Sequence, residues 1–204
     1  MRTISPRTYQ QLKLCYGRWS SWALWNPAVI SDLAIMEPRG IPHPLMRADL
    51  VFVGLNAARP TSKPWEAFHT TSANDKKLAG LLNNAVFGGA YITDIIKGLV
   101  EVEGKKAADI VKDNDSLLKS NAKLFCDELE MLGVGADTTI IVFGNEAWDI
   151  IQRMLEKNLL DPCCAKGLFV KNTHFAAYVS IEDMKKELAG HIGQIIPKGS
   201  YSED

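Results

Sequence analysis

Four short apolar runs, separated by helical patterns, constrain the fold of this chain more than any other feature. The runs are rich in β-branched residues and cover residues 49–54, 90–96, 138–144 and 168–174. The first three are almost continuously apolar, which is typical of strands buried on both faces of a parallel sheet. Strands that alternate with helices predict an α/β fold, here a three-layer sandwich around a central, mostly parallel, four-stranded sheet.

The spacing of apolar residues and several capping signals predict helices between these runs. The predicted helices cover residues 75–85, 114–133, 145–158 and 180–196. Gly133 is the expected C-cap of the second helix, and Asn145 is the expected N-cap of the third. Ser180 and Asp183 have the spacing of a capping box at the start of the last helix.

The first 45 residues differ in composition from the rest of the chain. They carry three of the five tryptophans, in the stretch "YGRWSSWALWNP". Aromatic side chains of this size bury a large apolar surface, so we expect residues 1–45 to be helical and to pack on the core. No internal repeat or low-complexity stretch is visible, and residues 1–204 are expected to form a single α/β domain.

The composition argues against several classes of protein. The formal net charge is −1, so the chain does not bind nucleic acid through bulk positive charge. The N-terminus lacks the apolar core of a signal peptide, and no apolar run approaches the roughly 20 residues that span a membrane. A cytoplasmic protein without a membrane partner is therefore expected. The four cysteines form no C-x-x-C pair, so we expect reduced thiols, no metal site and no cofactor.

Polar residues gather near the ends of the predicted strands. Gly54 and Asn56 end the first run, Asp94 lies in the second, and His174 closes the fourth. Because ligands bind outside the carboxyl ends of parallel strands, we expect these residues to share one crevice. An asparagine can orient a water molecule, a histidine can donate a proton to a developing anion, and a carboxylate can activate water. Each of them has a structural alternative, as a turn cap or as a packed and hydrogen-bonded side chain.

A long loop after the first run carries aromatic residues. Phe68 and His69 lie in "WEAFHTTSANDKK", where a ring could stack on a flat ligand such as a nucleobase. The alternative is a loop held in place by buried aromatic side chains. The chain has no G-x-G-x-x-G, phosphate-loop lysine, G-x-S-x-G or H-E-x-x-H motif, which argues against a nucleoside triphosphatase, an α/β-hydrolase or a zincin.

Together these residues resemble the motifs of the uracil-DNA glycosylase superfamily. The sequence "GLN" at 54–56 resembles the first motif of its mismatch-specific members, G-I-N-P-G, and "THFAAY" at 173–178 occupies the place of the second motif, H-P-S or N-P-S. The stretch "GAYITDIIKG" resembles the middle strand of that fold, and "IIVFGNEAWDII" resembles the penultimate strand with the helix after it. The resemblance covers residues 46–196 and implies a uracil-DNA glycosylase-like fold.

The resemblance also implies a role for each candidate residue. Asn56 would position the attacking water, His174 would stabilise the departing base anion, and Asp94 is the third candidate catalytic residue. Either Phe68 or His69 would stack against the base. The other candidate substrate-binding residues are Gly54, Leu55, Ala57, Tyr91, Lys97, Asn145 and Tyr178.

The function expected from this resemblance is excision of a deaminated or damaged base, such as uracil, by hydrolysis of its N-glycosidic bond. The partner would be DNA, with the target base flipped out of the stack at a cost of a few kcal/mol. The motifs depart from the family pattern, since Ala57 and Ala58 replace Pro and Gly, and Phe175 and Ala176 replace Pro and Ser. Two alternatives therefore stay open: a hydrolase of free nucleosides or other small molecules, and a catalytically silent module that binds a nucleotide or a protein.

Overall fold

The computed structural model describes residues 2–160 and 164–195 of the chain. The helices are α1 (Pro6–Cys15), α2 (Ala73–Leu82), α3 (Gly104–Lys112), α4 (Asp115–Leu132), α5 (Asn145–Glu156) and α6 (Ile181–Ile195). The strands are β1 (Ser20–Trp22), β2 (Arg47–Ala57), β3 (Ala90–Val100), β4 (Thr139–Phe143) and β5 (Leu168–Asn172). Short 3₁₀ turns occupy Leu33–Met36, Pro38–Gly40 and Cys164–Lys166.

The strands form one mixed sheet in the order β1-β3-β2-β4-β5. The strands β3, β2, β4 and β5 run parallel to one another, and β1 runs antiparallel to β3 at one edge. The two longest strands, β2 and β3, lie side by side in the interior of the sheet, and β2 contacts β4 on its other side. The carboxyl ends of the central parallel strands therefore lie at one edge of the sheet.

Helices cover both faces of this sheet. Alternate residues of β2 enter two different cores, because successive side chains of a strand point to opposite faces. Val51 and Val53 pack in the same core as residues of α3, α4 and α5. Leu50 and Phe52 pack in the other core, with residues of α2 and α6. The predicted α/β sandwich with a mostly parallel sheet is thus confirmed.

The fifth strand, β1, corrects the prediction of four strands and of a helical N-terminal segment. Among residues 2–45, which the structure describes, only α1 is an α-helix, and Ser21 of β1 pairs with Ile92 of β3. The reason is tertiary, because β1 covers an edge of β3 that would otherwise present unpaired backbone groups. The Trp22 ring is buried at 4.8 Å from the Tyr91 ring and 5.9 Å from the Trp65 ring, between centroids.

Both central strands continue past the apolar runs that predicted them. β2 extends to Ala57 and β3 to Val100, so the polar residues expected after these strands lie within them. Gly54 pairs with Asp94, and Asn56 pairs with Ile96. The ladder of backbone hydrogen bonds does not require apolar side chains, and polar side chains are tolerated here because they face a cavity or a buried polar partner.

The turns into and out of helices agree with the predicted caps, with one exception. Gly133 ends α4 in the left-handed conformation, with φ +80°, and Ser180 caps α6 by accepting a hydrogen bond from the Asp183 N–H at 3.1 Å. The N-cap of α5 is Gly144 instead of Asn145, because the turn out of β4 has φ +88°, which favours glycine. None of the helices in the described residues is long and apolar enough to cross a membrane.

Candidate active site

A cavity of about 970 Å³ lies at the carboxyl ends of the central strands. Its walls include the end of β2 and the loop after it, the middle of β3, the starts of α2, α3 and α5, and the turn after β5. Asn56, Asp94 and His174 all line it. The expectation that the strand ends share one crevice therefore agrees with the observed fold.

Gly54 lies where the Asp94 side chain approaches β2. A Cβ atom at position 54 would come closer than 3.0 Å to Oδ1 of Asp94, a distance that real Cβ contacts do not show. The same Cβ position is 3.7 Å from the ring of Phe68. A glycine at the end of this strand thus leaves room for a carboxylate and an aromatic ring to meet in the cavity.

The Asp94 carboxyl is buried and is only 4% exposed. Among the described residues, no side chain or backbone N–H donates a hydrogen bond to it, although its backbone carbonyl accepts one from Lys97. Burial raises the pKa of this carboxyl from 3.8 to about 7, opposed by Lys97 and reinforced by Glu128 and Asp75. The group therefore changes its charge near neutral pH and keeps unused hydrogen-bonding capacity.

Tyr91 and Lys97, both predicted to bind substrate, lie outside the cavity in a buried polar cluster on the α4 face. The Lys97 ammonium lies 2.6 Å from Oε2 of Glu128, and both side chains are fully buried. Tyr91 donates a hydrogen bond to Oε1 of Glu128 at 2.8 Å, and Thr93 donates to the same carboxylate at 2.9 Å. Residues 91, 93 and 97 share the face opposite to Asp94, because side chains alternate along β3.

Asn56 is oriented by two hydrogen bonds from its amide nitrogen. Nδ2 donates to the carbonyl of Ala57 at 3.0 Å and to the carbonyl of Glu101 at 2.8 Å. Both N–H groups are thus used by the protein, and the side-chain oxygen is left as an acceptor for a ligand or water. Asn56 lies within β2, so these contacts are not the turn cap that was the alternative to a site role.

His174 is held as a neutral hydrogen-bond donor. Its Nδ1 accepts a hydrogen bond from the N–H of Ala176 at 3.0 Å, so the neutral ring carries its proton on Nε2. Burial lowers the pKa of His174 from its usual 6.5, Lys77 lowers it further and Glu146 opposes the shift. The ring stacks on Phe175 at 4.4 Å between centroids.

His174 also packs against the turn that starts α5. A Cβ at Gly144 would lie 3.1 Å from Cβ and Cδ2 of His174. The glycine that the turn needs for its positive φ therefore also leaves space for the imidazole. This contact connects β4, α5 and the turn after β5 at one wall of the cavity.

The two aromatic candidates of the long loop have different positions. His69 is 1% exposed, donates from Nε2 to the carbonyl of Trp22 at 3.1 Å and stacks on Trp25 at 4.9 Å between centroids. Burial lowers the pKa of His69 to about 4, so the ring is neutral, and it contributes to the cavity only as a buried part of the wall. Phe68 is half-buried on the cavity wall, and its backbone has φ +67°. Of the two rings, Phe68 is the one available to stack on a ligand.

Of the four remaining candidate residues, two line the cavity and two do not. Leu55 and Ala57 line the cavity next to Gly54 and Asn56. Asn145 is exposed as the first residue of α5, and Tyr178 is fully exposed after the turn that carries His174. Neither Asn145 nor Tyr178 lines the cavity.

The loop from residue 101 to 105 is a part of the site that the sequence did not predict. Glu101 supplies the carbonyl that orients Asn56, and Gly104 begins α3 at the cavity wall. The signal for α3 is present in the sequence, since Ala107, Ala108 and Val111 have helical spacing and are all buried.

Charged side chains of both signs line the cavity, with more acidic than basic ones. The five acidic residues are Glu66, Asp75, Asp94, Glu101 and Glu146, and the three basic residues are Arg59, Lys63 and Lys105. No group of three His, Cys, Asp or Glu side chains in the described part of the chain is arranged to hold a metal ion. The charged and polar groups that line the cavity are able to take part in acid, base and hydrogen-bond chemistry.

The arrangement offers three different groups around the end of β2: the Asn56 side-chain oxygen, the Nε2–H of His174 and the Asp94 carboxyl.

Comparison of the chain with protein-family models, with curated proteins and with solved structures gave no match. The function of the site is therefore inferred from its geometry and from the motifs in the sequence.

Proposed function

We propose that this protein hydrolyses the N-glycosidic bond of a deaminated or damaged nucleobase bound in the cavity. The proposal depends most on one observation: Asn56 and His174 are each held by the backbone so that one group remains for a substrate. That group is an acceptor on Asn56 and a donor on His174. The resemblance of "GLN" and "THFAAY" to the motifs of uracil-DNA glycosylases supports the same chemistry.

His174 would stabilise the leaving base. In the reaction the C1′–N bond breaks, both electrons go to the base, and an oxocarbenium-like sugar forms. A neutral imidazole with its proton on Nε2 donates a hydrogen bond to the anionic base without first losing a proton. The lowered pKa of His174 keeps the ring neutral at pH 7.

Asn56 would position the water that completes the hydrolysis. Its side-chain oxygen accepts a hydrogen bond from water, whose oxygen bonds to C1′ while its proton ends on the departed base. An amide is not a base at neutral pH, so its contribution is orientation. The hydrogen bond to the Glu101 carbonyl keeps the amide from rotating.

The charge on the cavity walls favours a second candidate substrate besides a base in DNA. Five acidic and three basic side chains line the cavity, and this excess of acidic groups repels a polyanionic backbone. A free nucleoside carries no phosphate and meets no such repulsion. Hydrolysis of free nucleosides is therefore the alternative, with the same roles for Asn56 and His174.

The test is a base-release assay on two sets of substrates. Oligonucleotides with uracil opposite G, uracil opposite A, single-stranded uracil, hypoxanthine, xanthine or 8-oxoguanine form one set, and the matching free nucleosides form the other. We expect wild type to release base from at least one substrate, and Asn56→Ala and His174→Ala each to lower the rate at least about 100-fold, or about 2.7 kcal/mol of barrier.

The matched control is Asn145→Ala, which removes an exposed asparagine outside the cavity and leaves the rate unchanged. Release from oligonucleotides alone identifies DNA as the substrate, and release from nucleosides alone identifies the second candidate. An absence of release from every substrate, or full activity in Asn56→Ala, contradicts the proposed function.

A further inference from the structure

The Asp94 carboxylate is a buried acceptor on the cavity wall to which none of the described residues donates a hydrogen bond. The cation nearest to it in sequence, Lys97, is already committed to Glu128 at 2.6 Å, to Thr93 at 2.6 Å and to the backbone carbonyl of Asp94. No donor in the described chain reaches the carboxylate itself. A buried polar group without a partner is costly, so a ligand that supplies the donors would gain binding energy here.

The surroundings of Asp94 match a flat ligand. The carboxylate occupies the space that a Cβ atom of residue 54 would enter, and the Phe68 ring lies 3.7 Å from that Cβ position. A planar base carries its N–H donors at its edge, so a base that stacks on Phe68 would pair with Asp94 through that edge. Asp94 is 4% exposed, whereas Asn56 and His174 are half-buried, so the carboxylate lies deeper than the two groups assigned to the reaction.

We propose that Asp94 selects a nucleobase whose edge presents two adjacent N–H donors, as the N1–H and 2-amino group of guanine do. An ionised carboxylate only accepts hydrogen bonds and pairs with such an edge through both oxygens. Uracil presents one N–H between two carbonyls, so one carboxylate oxygen would face another oxygen. Hypoxanthine presents its N1–H beside a C–H, so the second carboxylate oxygen would have no N–H donor. The inference rests on the proposed function and narrows its substrate to damaged bases that keep a guanine-like edge.

The experiment is equilibrium binding of 2′-deoxyguanosine and 2′-deoxyinosine at pH 8, where the carboxyl is ionised. These nucleosides differ only in the 2-amino group. We expect wild type to bind 2′-deoxyguanosine at least about tenfold more tightly, the discrimination typical of one bidentate contact. Asp94→Asn replaces one acceptor with a donor, so we expect its preference to disappear or to reverse towards 2′-deoxyinosine. Asp149→Asn, an exposed residue of α5 outside the cavity, retains the wild-type preference.

Several results would overturn the inference. Equal affinity of wild type for the two nucleosides, tighter binding of 2′-deoxyinosine, or binding of neither would each do so, and these measurements do not require that the variant folds. A uniform loss of hydrolysis in Asp94→Asn with an unchanged binding preference would assign Asp94 to water activation. A preference for 2′-deoxyguanosine without hydrolysis of any substrate supports the inference and contradicts the proposed function.

Discussion

The Asp94 carboxylate occupies the space beside β2 that a Cβ atom at position 54 would enter. Gly54 and Asp94 are register partners in the parallel pair β2–β3, so this proximity is built into the sheet itself. A carboxylate thus reaches the cavity from within a strand, and not from a flexible loop. The rigidity of the two neighbouring strands fixes its position relative to Asn56, two residues after Gly54.

Gly54→Ala should displace the Asp94 carboxylate. The new methyl group would lie closer than 3.0 Å to Oδ1, so Asp94 or the strand must shift, and we expect a loss of about 1–3 kcal/mol in the free energy of unfolding. Urea denaturation measures this change. Gly190→Ala is the control. Gly190 lies within α6, and a Cβ atom there would meet no other part of the chain within 4 Å, so alanine should stabilise the helix by about 0.5–1 kcal/mol. Equal stability of Gly54→Ala and wild type would contradict the packing described.

The stability of the protein should fall as pH rises from about 4 to about 7 in a way that depends on Asp94. The folded carboxyl has a pKa of about 7, against 3.8 without burial, so the folded state holds a proton that the unfolded state has released. The free energy of unfolding is therefore lower above pH 7 than below pH 4 by roughly 4 kcal/mol. Lys97, Glu128 and Asp75 are the charged groups that act on Asp94, and they do so from β3, α4 and α2.

Unfolding of wild type and Asp94→Asn at pH 5, 6, 7 and 8 isolates this contribution from other titrating groups. The amide does not ionise, so the variant should gain stability relative to wild type as pH rises. A constant difference between the two proteins across this range would show that Asp94 titrates normally.

The buried pair of Lys97 and Glu128 should be costly to break. Lys97→Met leaves the Glu128 carboxylate buried with only hydroxyl donors, and we expect a loss of about 3–5 kcal/mol. The double variant Lys97→Met with Glu128→Gln removes the uncompensated charge and should be more stable than Lys97→Met alone. On the surface of α4, Lys123→Met breaks the exposed pair with Asp127 and should change stability by less than about 0.5 kcal/mol. Denaturant unfolding of the three variants measures these values, and a small effect of Lys97→Met would be inconsistent with the pair.

We expect His69→Ala to lower mainly the stability of the protein and His174→Ala to lower mainly its activity. His69→Ala removes a buried ring that stacks on Trp25 and a hydrogen bond to the Trp22 carbonyl, so we expect a loss of about 3 kcal/mol in stability. His174→Ala should change stability less and should lower the rate of base release at least about 100-fold. Thermal unfolding and the base-release assay, applied to both variants, test the distinction. Equal loss of stability in the two variants would make His174 a structural residue.

The sequence by itself determined the fold class and the approximate place of the site. Near-continuous apolar runs at 49–54, 90–96 and 138–144 require strands buried on both faces, and helices between such strands produce a parallel sheet. A parallel sheet brings its carboxyl strand ends to one edge, so the sequence predicts that Asn56, Asp94 and His174 lie together. These features depend on local periodicity and on general rules of connection, which are visible in a single sequence.

Tertiary structure alone decided which polar residues face the cavity. Lys97 is buried away from the cavity because it pairs with Glu128 of α4. His69 is buried because it donates a hydrogen bond to the Trp22 carbonyl and stacks on Trp25. The orientation of Asn56 depends on its hydrogen bond to the Glu101 carbonyl. The strand β1 forms because its backbone pairs with the edge of β3. Each of these outcomes is a contact between residues distant in sequence, and the energy of such a contact depends on a partner that local patterns do not identify.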